Sequence, residues 1–89
     1  MTVMVLQIVN EKGLHARASA RFVEVVEAHD AEAKVSKDGM TVSGDSIMGL
    51  LMLAASRGTE IEVTTSGAEA DKLAQALAEL VASRFGEAF

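Results

Sequence analysis

Cysteine, tryptophan and tyrosine are absent from this sequence, and its only aromatic residues are three phenylalanines. Without cysteine the chain cannot form disulfide bonds, thiolate nucleophiles or cysteine-ligated metal sites. Without tryptophan and tyrosine it lacks the main platforms on which single-stranded nucleic acids stack their bases. The formal net charge of -5 also disfavours nucleic acid, because phosphate backbones attract basic surfaces. These absences favour a protein partner over a nucleic acid and give no reason to expect a metal or other cofactor.

The apolar opening stretch from Val3 to Val9 is too short to cross a bilayer. This stretch has no basic leader and no small-residue cleavage pattern after it, so it does not read as a signal peptide. We therefore expect a cytoplasmic protein without a membrane partner.

The 89 residues are 49% hydrophobic and 24% charged, a balance that supports a folded core. No linker or low-complexity stretch divides them, so residues 1–89 are expected to form one domain. A domain of this size has little surface for a deep cleft. An enclosed active site is therefore not expected.

The first half of the chain alternates between strand and helix patterns. Val3 to Val9 predicts a buried strand followed by a turn, and apolar residues near helical spacing then predict a first helix (Ala18, Phe22, Val25 and Val26). Two alternating segments, Ala31 to Lys37 and Met40 to Ser43, flank Asp38-Gly39, which is a strong hairpin signal.

The second half adds a helix, a strand and a helix. Ser46 is the expected N-cap of a short helix over Ile47 to Leu53, and Gly58 then precedes a strand from Glu60 to Thr65. Ser66 to Glu69 matches a capping box, which predicts that the last helix begins there. That helix presents an apolar stripe until Gly86 loosens the tail; the stripe comprises Leu73, Leu77, Leu80 and Val81.

The predicted order is βαββαβα, an α+β arrangement in which helices cover one face of a four-stranded sheet. The other face is expected to be solvated, since it carries charged residues: Glu32, Lys34, Glu60 and Glu62.

His15 is the residue that suggests chemistry, because it stands where the first strand gives way to the first helix. The first N–H groups of a helix lack intrahelical partners and its dipole is positive there, so an anion is favoured. A neutral imidazole can attack phosphorus, and Arg17 can donate charge-assisted hydrogen bonds to the phosphoryl group. A lone histidine would more often be a surface or capping residue, so the surrounding motif is needed for this reading.

Three motifs together resemble the HPr family of histidine phosphocarriers from the bacterial phosphotransferase system, over nearly the whole chain. They are Gly13-Leu14-His15-Ala16-Arg17, Ser46-Ile47-Met48-Gly49 and Gly58-Thr59-Glu60-Ile61. The resemblance implies an open-faced β-sandwich with sheet order 1-4-2-3 and three helices on one face. It also implies that enzyme I phosphorylates His15 at Nδ1 and that a IIA protein receives the group. The expected form is a monomeric carrier with a phosphohistidine intermediate, rather than a stand-alone enzyme.

The segment after Arg17 departs from the family pattern, in which Pro-Ala follows His-x-Arg. Ala18 and Ser19 stand at those positions here. The change resembles the nitrogen-related or regulatory branch of the phosphotransferase system, which places a role in sugar uptake in question.

The sequence allows two interpretations of Ser46, as a helix cap and as a phosphorylation site. From its local sequence it is an ordinary N-cap. In family branches that contain the HPr serine kinase/phosphorylase, the matching serine is phosphorylated, which here would add about two negative charges beside Asp45.

A partner-binding surface is expected beside His15, since methionine adapts to differently shaped partners. Met48, Leu51 and Met52 would face outward while Leu50 and Leu53 enter the core, although periodicity alone also allows all five to be core. The complete predicted surface comprises Ala16, Ala20, Ile47, Met48, Leu51 and Met52. His29 is expected to be a solvent-exposed residue at the end of the first helix, without chemistry.

Two other functions are open. One is a docking module in which His15 phosphorylation acts as a switch instead of a transfer step. The other is a small ferredoxin-like ligand-binding domain, which the absence of a Gly-rich phosphate loop and of an aromatic pocket disfavours.

Overall fold

Strands and helices follow one another in the predicted order in the computed structural model, which describes all residues from 1 to 89. The elements are β1 (Thr2–Gln7), α1 (Ala16–Glu27), β2 (Glu32–Lys37), β3 (Met40–Ser43), α2 (Ile47–Met52), β4 (Glu60–Ser66) and α3 (Ala70–Ala82), followed by a 3₁₀ turn (Arg84–Gly86). No helix among them has the length and apolar character needed to cross a membrane.

The four strands form one antiparallel sheet in the order β1-β4-β2-β3. Its register brings apolar side chains together on one face, with Leu6 opposite Ile61 and Val35 opposite Val63. The hairpin between β2 and β3 turns at Asp38 and Gly39, both at positive φ as a type I′ turn requires. The α+β fold with sheet order 1-4-2-3 is confirmed.

The core lies between the sheet and the three helices, and each helix contributes to it a side chain with no exposed surface. These are Phe22 from α1, Leu50 from α2, and Leu73 and Leu77 from α3. Phe85, from the 3₁₀ turn, is equally buried. On the opposite face of the sheet the charged residues are exposed, as expected: Glu32, Lys34, Glu60 and Glu62. Burial of these large side chains is the main driving force for the arrangement.

The first strand is not buried as predicted. Val3 and Val5 are 56% and 58% exposed, because they lie on the face of the sheet that the helices leave solvated, with Val5 opposite the exposed Glu62. The strand also ends at Gln7, and Ile8 continues inward to a fully buried position. A continuous apolar run cannot distinguish a strand covered on both faces from one with an exposed face.

The predicted capping box at Ser66 to Glu69 is wrong. Ser66 ends β4, and α3 begins at Ala70 after the N-cap Glu69, whose side chain makes no capping bond. The Glu69 carboxylate instead accepts the backbone N–H of Asp30 at 2.7 Å, and the Glu69 N–H donates to the Asp30 carbonyl at 2.9 Å. The hydrogen bond from Asp30 is the main reason that the pKa of Glu69 is lowered. Hydrogen bonds between Glu69 and the distant Asp30 therefore take the place of the predicted local bonds between Glu69 and Ser66.

The tail is not loosened at Gly86, contrary to expectation. Arg84, Phe85 and Gly86 all have positive φ, which turns the chain back across the start of α1. The Phe89 carbonyl then accepts the N–H of Glu11 at 3.0 Å. Burial of Phe85 anchors this reversal, so the last residues lie against the loop that precedes His15.

Gly13 allows that loop to approach the segment after α2. Its φ is +65°, and a Cβ there would lie 2.4 Å from the Ala55 carbonyl oxygen. The next residue, Leu14, donates its N–H to the same oxygen at 2.8 Å. A side chain at Gly13 would therefore displace the backbone that carries His15.

We expect Gly13→Ala to destabilise the fold more than Gly39→Ala. Both glycines have positive φ, so both substitutions incur roughly 1 to 2 kcal/mol of backbone strain. Only Gly13 adds a clash, which raises its loss by about 1 to 3 kcal/mol, since a Cβ at Gly39 would meet no atom within 4 Å. Urea denaturation of both variants measures the difference, and equal losses would contradict the close approach at Gly13.

Candidate functional site

His15 lies at the strand-to-helix junction that the sequence predicted, and it is the N-cap of α1. Its backbone is extended, with φ −79° and ψ −176°, and its Nδ1 accepts the N–H of Arg17 at 3.3 Å. The preceding Leu14 is buried, and its carbonyl accepts the hydroxyl of Ser19 at 3.3 Å. These bonds fix the imidazole at the first turn of the helix with 28% of its side chain exposed.

The N-terminus of α1 provides a favourable position for an anion beside Nδ1. No acidic residue occupies the first turn, and the first four N–H groups of a helix have no intrahelical acceptor. The helix dipole adds positive potential at the same end. An anion held there would therefore encounter hydrogen-bond donors and no competing carboxylate in the first turn of the helix.

Arg17 lies in this first turn with its side chain exposed and in no ion pair. It lines an open cleft of about 350 Å³ together with Lys12 and Arg21, and Glu87 forms part of the same wall. The remaining lining is the backbone and side chains of the loop and tail: Glu11, Gly86, Ala88 and Phe89. Three cationic side chains therefore share a cleft with Glu87, the residue that contacts His15.

Glu87 contacts the opposite edge of the imidazole. One of its carboxylate oxygens, Oε2, meets His15 Nε2, and the other, Oε1, accepts the side-chain amide of Asn10 at 2.9 Å. The Asn10 hydrogen bond is the largest cause of a lowered pKa at Glu87; burial opposes it, and the His15 contact adds to the lowering. The carboxylate is therefore ionised at neutral pH and can only accept a hydrogen bond from the ring.

Asn10 joins this carboxylate to the loop before α1. It is fully buried, and its Nδ2 also donates to the Gly13 carbonyl at 2.8 Å. Its Oδ1 has no hydrogen-bond partner, which is a destabilising feature in a buried amide. The two hydrogen bonds of Nδ2, one to the loop and one to the tail, therefore determine the orientation of the amide.

Sequence reasoning missed both Asn10 and Glu87. Asn10 belongs to a turn that any polar residue suits, and Glu87 follows a glycine in a segment read as loose. They contact His15 or its loop only because the tail returns across 72 to 77 residues of chain. The one local signal of this return is the pair Phe85-Gly86, because an aromatic residue beside a glycine is typical of a buried anchor followed by a turn.

The predicted partner surface is partly exposed and partly covered. Met48 and Met52 are 71% and 64% exposed and Ile47 is 41% exposed, whereas Leu50 and Leu53 are in the core. The rest of the set lies beside them on α1 and α2: Ala16 is exposed, and Ala20 and Leu51 are half-buried. The structure thus decides the orientation of α2 that periodicity left open.

Ser46 caps α2, and its Oγ accepts the N–H of Gly49 at 3.0 Å. The side chain is half-buried and has the exposed Asp45 next to it. Its predicted role as an N-cap is confirmed.

His29 is half-buried, not solvent-exposed as predicted. It follows the end of α1 at Glu27, and its Nδ1 contacts the Val25 carbonyl at 2.7 Å. A carbonyl accepts only, so Nδ1 of His29 carries a proton. The ring therefore lies against the preceding helical turn and is partly shielded from solvent.

No three acidic or histidine side chains come together anywhere in the structure as a metal site.

We expect Met48→Ala to leave stability within about 0.5 kcal/mol of the original, because an exposed side chain buries little apolar surface on folding. Leu50→Ala, two residues away on the same helix, should lose roughly 2 to 5 kcal/mol, because Leu50 has no exposed surface. Chemical denaturation distinguishes the pair. Equal losses for the two variants would place Met48 in the core and remove it from the surface.

The sequence matches the model of the PTS-HPr family, described as the PTS HPr component phosphorylation site, over residues 4–83. The phosphocarrier protein HPr of Neisseria meningitidis serogroup A is 45% identical over 82 residues, or 92% of each chain. The HPr of Pseudomonas aeruginosa is 40% identical over 88 residues, or 98% of each chain.

Solved structures agree with these relatives. The crystal structure of HPr-C-His from Thermoanaerobacter tengcongensis has a TM-score of 0.95 at 34% identity and covers 100% of both chains. HPr from Bacillus anthracis has a TM-score of 0.86 at 38% identity and covers 90% of this chain and 95% of that one. Sequence, fold and the position of His15 lead to one conclusion: this chain belongs to the PTS-HPr family of phosphocarriers.

Proposed function

We propose that this protein accepts a phosphoryl group from enzyme I on Nδ1 of His15 and passes it to a histidine of a IIA protein. The observation that carries the proposal is the position of His15 as the N-cap of α1, with Arg17 unpaired in the same turn. Family membership supports the general role. The site geometry suggests how the chain performs it.

Transfer requires in-line approach and stabilisation of charge more than covalent help from the protein. The bond from the Arg17 N–H to Nδ1 is long, at 3.3 Å, so this donor can turn to a phosphoryl oxygen as the group arrives. The Arg17 guanidinium adds charge-assisted hydrogen bonds from the open cleft. The carrier holds the group at the surface, where a second protein can reach it.

Enzyme I and the IIA protein would both use the surface formed by α1 and α2 beside His15, since donor and acceptor must each reach the same nitrogen. Met48 and Met52 give that surface flexible apolar side chains that suit two differently shaped partners. We expect the protein to act as a cytoplasmic monomer, one partner at a time and without a cofactor. Ala18 and Ser19 suggest an acceptor of the nitrogen-related branch.

Replacement of His15 should abolish labelling by enzyme I and phosphoenolpyruvate. His15→Ala is expected to fall to background, whereas the matched control His29→Ala should be labelled within about twofold of the original rate. The label on the original protein should be acid-labile and alkali-stable, as a phosphoramidate is. Labelling of His15→Ala at the original rate would refute the assignment.

The same labelled protein separates a carrier from a switch. Addition of a IIA protein moves the label to that protein if the chain is a carrier. A label that stays on this chain with every IIA protein tested, while phosphorylation changes its affinity for another protein, would favour the docking module instead.

Phosphorylation of Ser46 by a serine kinase is proposed as a regulatory input to the same surface. The helix N-terminus tolerates the added charge, so the fold should persist. The charge would lie next to Asp45 and two residues before Met48, where partners are expected to dock. The effect would therefore fall on partner association rather than on His15 itself.

Ser46→Asp should slow phosphorylation of His15, because a second carboxylate beside Asp45 would repel an acidic partner surface. A decrease of about two- to fivefold is the range expected for two like charges at an exposed interface rim. Ser46→Asn is the matched control, because asparagine caps a helix as well as aspartate does and adds no charge. Initial rates at low and high salt measure the effect, which salt should reduce. Equal rates for the two variants would leave Ser46 as a cap only.

A further inference from the structure

The two ring nitrogens of His15 face partners of opposite kind. Nε2 faces the ionised carboxylate of Glu87, which can only accept a hydrogen bond, whereas Nδ1 faces the backbone N–H of Arg17, which can only donate one. In the neutral ring the proton is therefore on Nε2 and the lone pair is on Nδ1.

We propose that Glu87 is a positioning residue for phosphoryl transfer: by accepting the Nε2 proton of His15, it reserves Nδ1 as the nucleophile and orients the ring. This inference rests on the proposed function of His15. It assigns a role to the C-terminal tail, which the resemblance through the three motifs does not reach.

Glu87 is held on both sides in the orientation that this role requires. Its Oε1 accepts the amide of Asn10, and its backbone N–H donates to the Arg84 carbonyl at 2.9 Å. The buried Phe85 precedes it, and the Phe89 carbonyl is fixed to Glu11 after it. The carboxylate is therefore directed at Nε2 before any partner binds.

Asn10 also determines which atom must face it. Its Nδ2 donates to the Gly13 carbonyl, an acceptor only, so the same amide nitrogen donates to Glu87 Oε1. A glutamine in place of Glu87 would therefore present its amide oxygen to Asn10. Its second polar atom then faces the imidazole.

The transfer step needs no reactant other than a phosphoprotein donor. The Nδ1 lone pair forms the N–P bond while the bond between phosphorus and the donor's nitrogen breaks, and that electron pair stays with the donor. The Nε2 proton remains on the ring, which becomes positively charged. The Glu87 carboxylate stabilises this cation, as a carboxylate does for the imidazolium of serine proteases. Delivery to the acceptor reverses these changes.

Glu87→Gln tests the proposal, because a glutamine amide would present its oxygen to Asn10 and its nitrogen to His15. The ring would then have to accept at Nε2, which moves its proton to Nδ1 and removes the nucleophilic lone pair. Glu87→Ala is the matched control, since it removes the carboxylate without placing a donor at Nε2, and the Arg17 N–H still faces Nδ1. We expect transfer rates to fall in the order original, Glu87→Ala, Glu87→Gln, with the last at least about tenfold below the original.

Long-range ¹H–¹⁵N correlation spectra at alkaline pH report the tautomer directly. We expect the Nε2-protonated form of His15 in the original protein and the Nδ1-protonated form in Glu87→Gln. His29 is an internal reference in every spectrum, because its contact with the Val25 carbonyl fixes the Nδ1-protonated form.

The same His15 tautomer in the original and in Glu87→Gln, or equal transfer rates for Glu87→Gln and Glu87→Ala, would overturn the proposal. Glu87→Ala leaves one Asn10 amide proton without its acceptor, so its denaturation midpoint should fall. Rates are therefore compared under conditions where the denaturation curves show every variant to be fully folded. Labelling of His15→Ala at the original rate would show that His15 is not the phosphoryl acceptor, and it would refute the proposed function alone. The spectra still decide whether Glu87 controls the ring.

Discussion

The buried amide of Asn10 is the interaction on which the geometry of the site depends. Its nitrogen donates to the Gly13 carbonyl and to the Glu87 carboxylate, so one side chain fixes the loop before α1 and the returning tail. Burial makes both bonds obligatory, since a buried amide proton without an acceptor costs roughly 1 to 3 kcal/mol. His15 is therefore held between two segments that the same group orders.

The imidazole divides the site into two electrostatic halves. On the Nδ1 side, the helix N-terminus with the backbone N–H of Arg17 favours an incoming anion. On the Nε2 side, the carboxylate of Glu87 favours a proton. The carboxylate can therefore support a positive charge on the imidazole from the side of the ring that Nδ1 does not face.

The sequence predicted those features whose causes are local. The start of the first helix at His15, the N-cap at Ser46 and the Asp38-Gly39 hairpin each depend on a few adjacent residues, and all three are confirmed. The stripe on α3 was equally readable because its period is regular; its members are Leu73, Leu77, Leu80 and Val81.

The errors have a common cause in contacts between distant segments. Glu69 bonds Asp30 instead of closing a capping box, and Glu87 reaches His15 across the length of the chain. Val3 is exposed because it lies on the face of the sheet that no helix covers, which depends on where the helices pack and not on the residues of β1. Half of the site, the helix terminus, was therefore predictable, and the tail half was not.

The exposed methionines belong to a helix of only six residues, α2, which cannot be stable by its own hydrogen bonds. Leu50 and Leu53 attach it to the core, and Ser46 closes its first turn. We therefore expect α2 to open locally at a lower free energy than the sheet does. A surface carried on such a unit would adapt its shape to different partners, while the imidazole beside it stays on the longer α1.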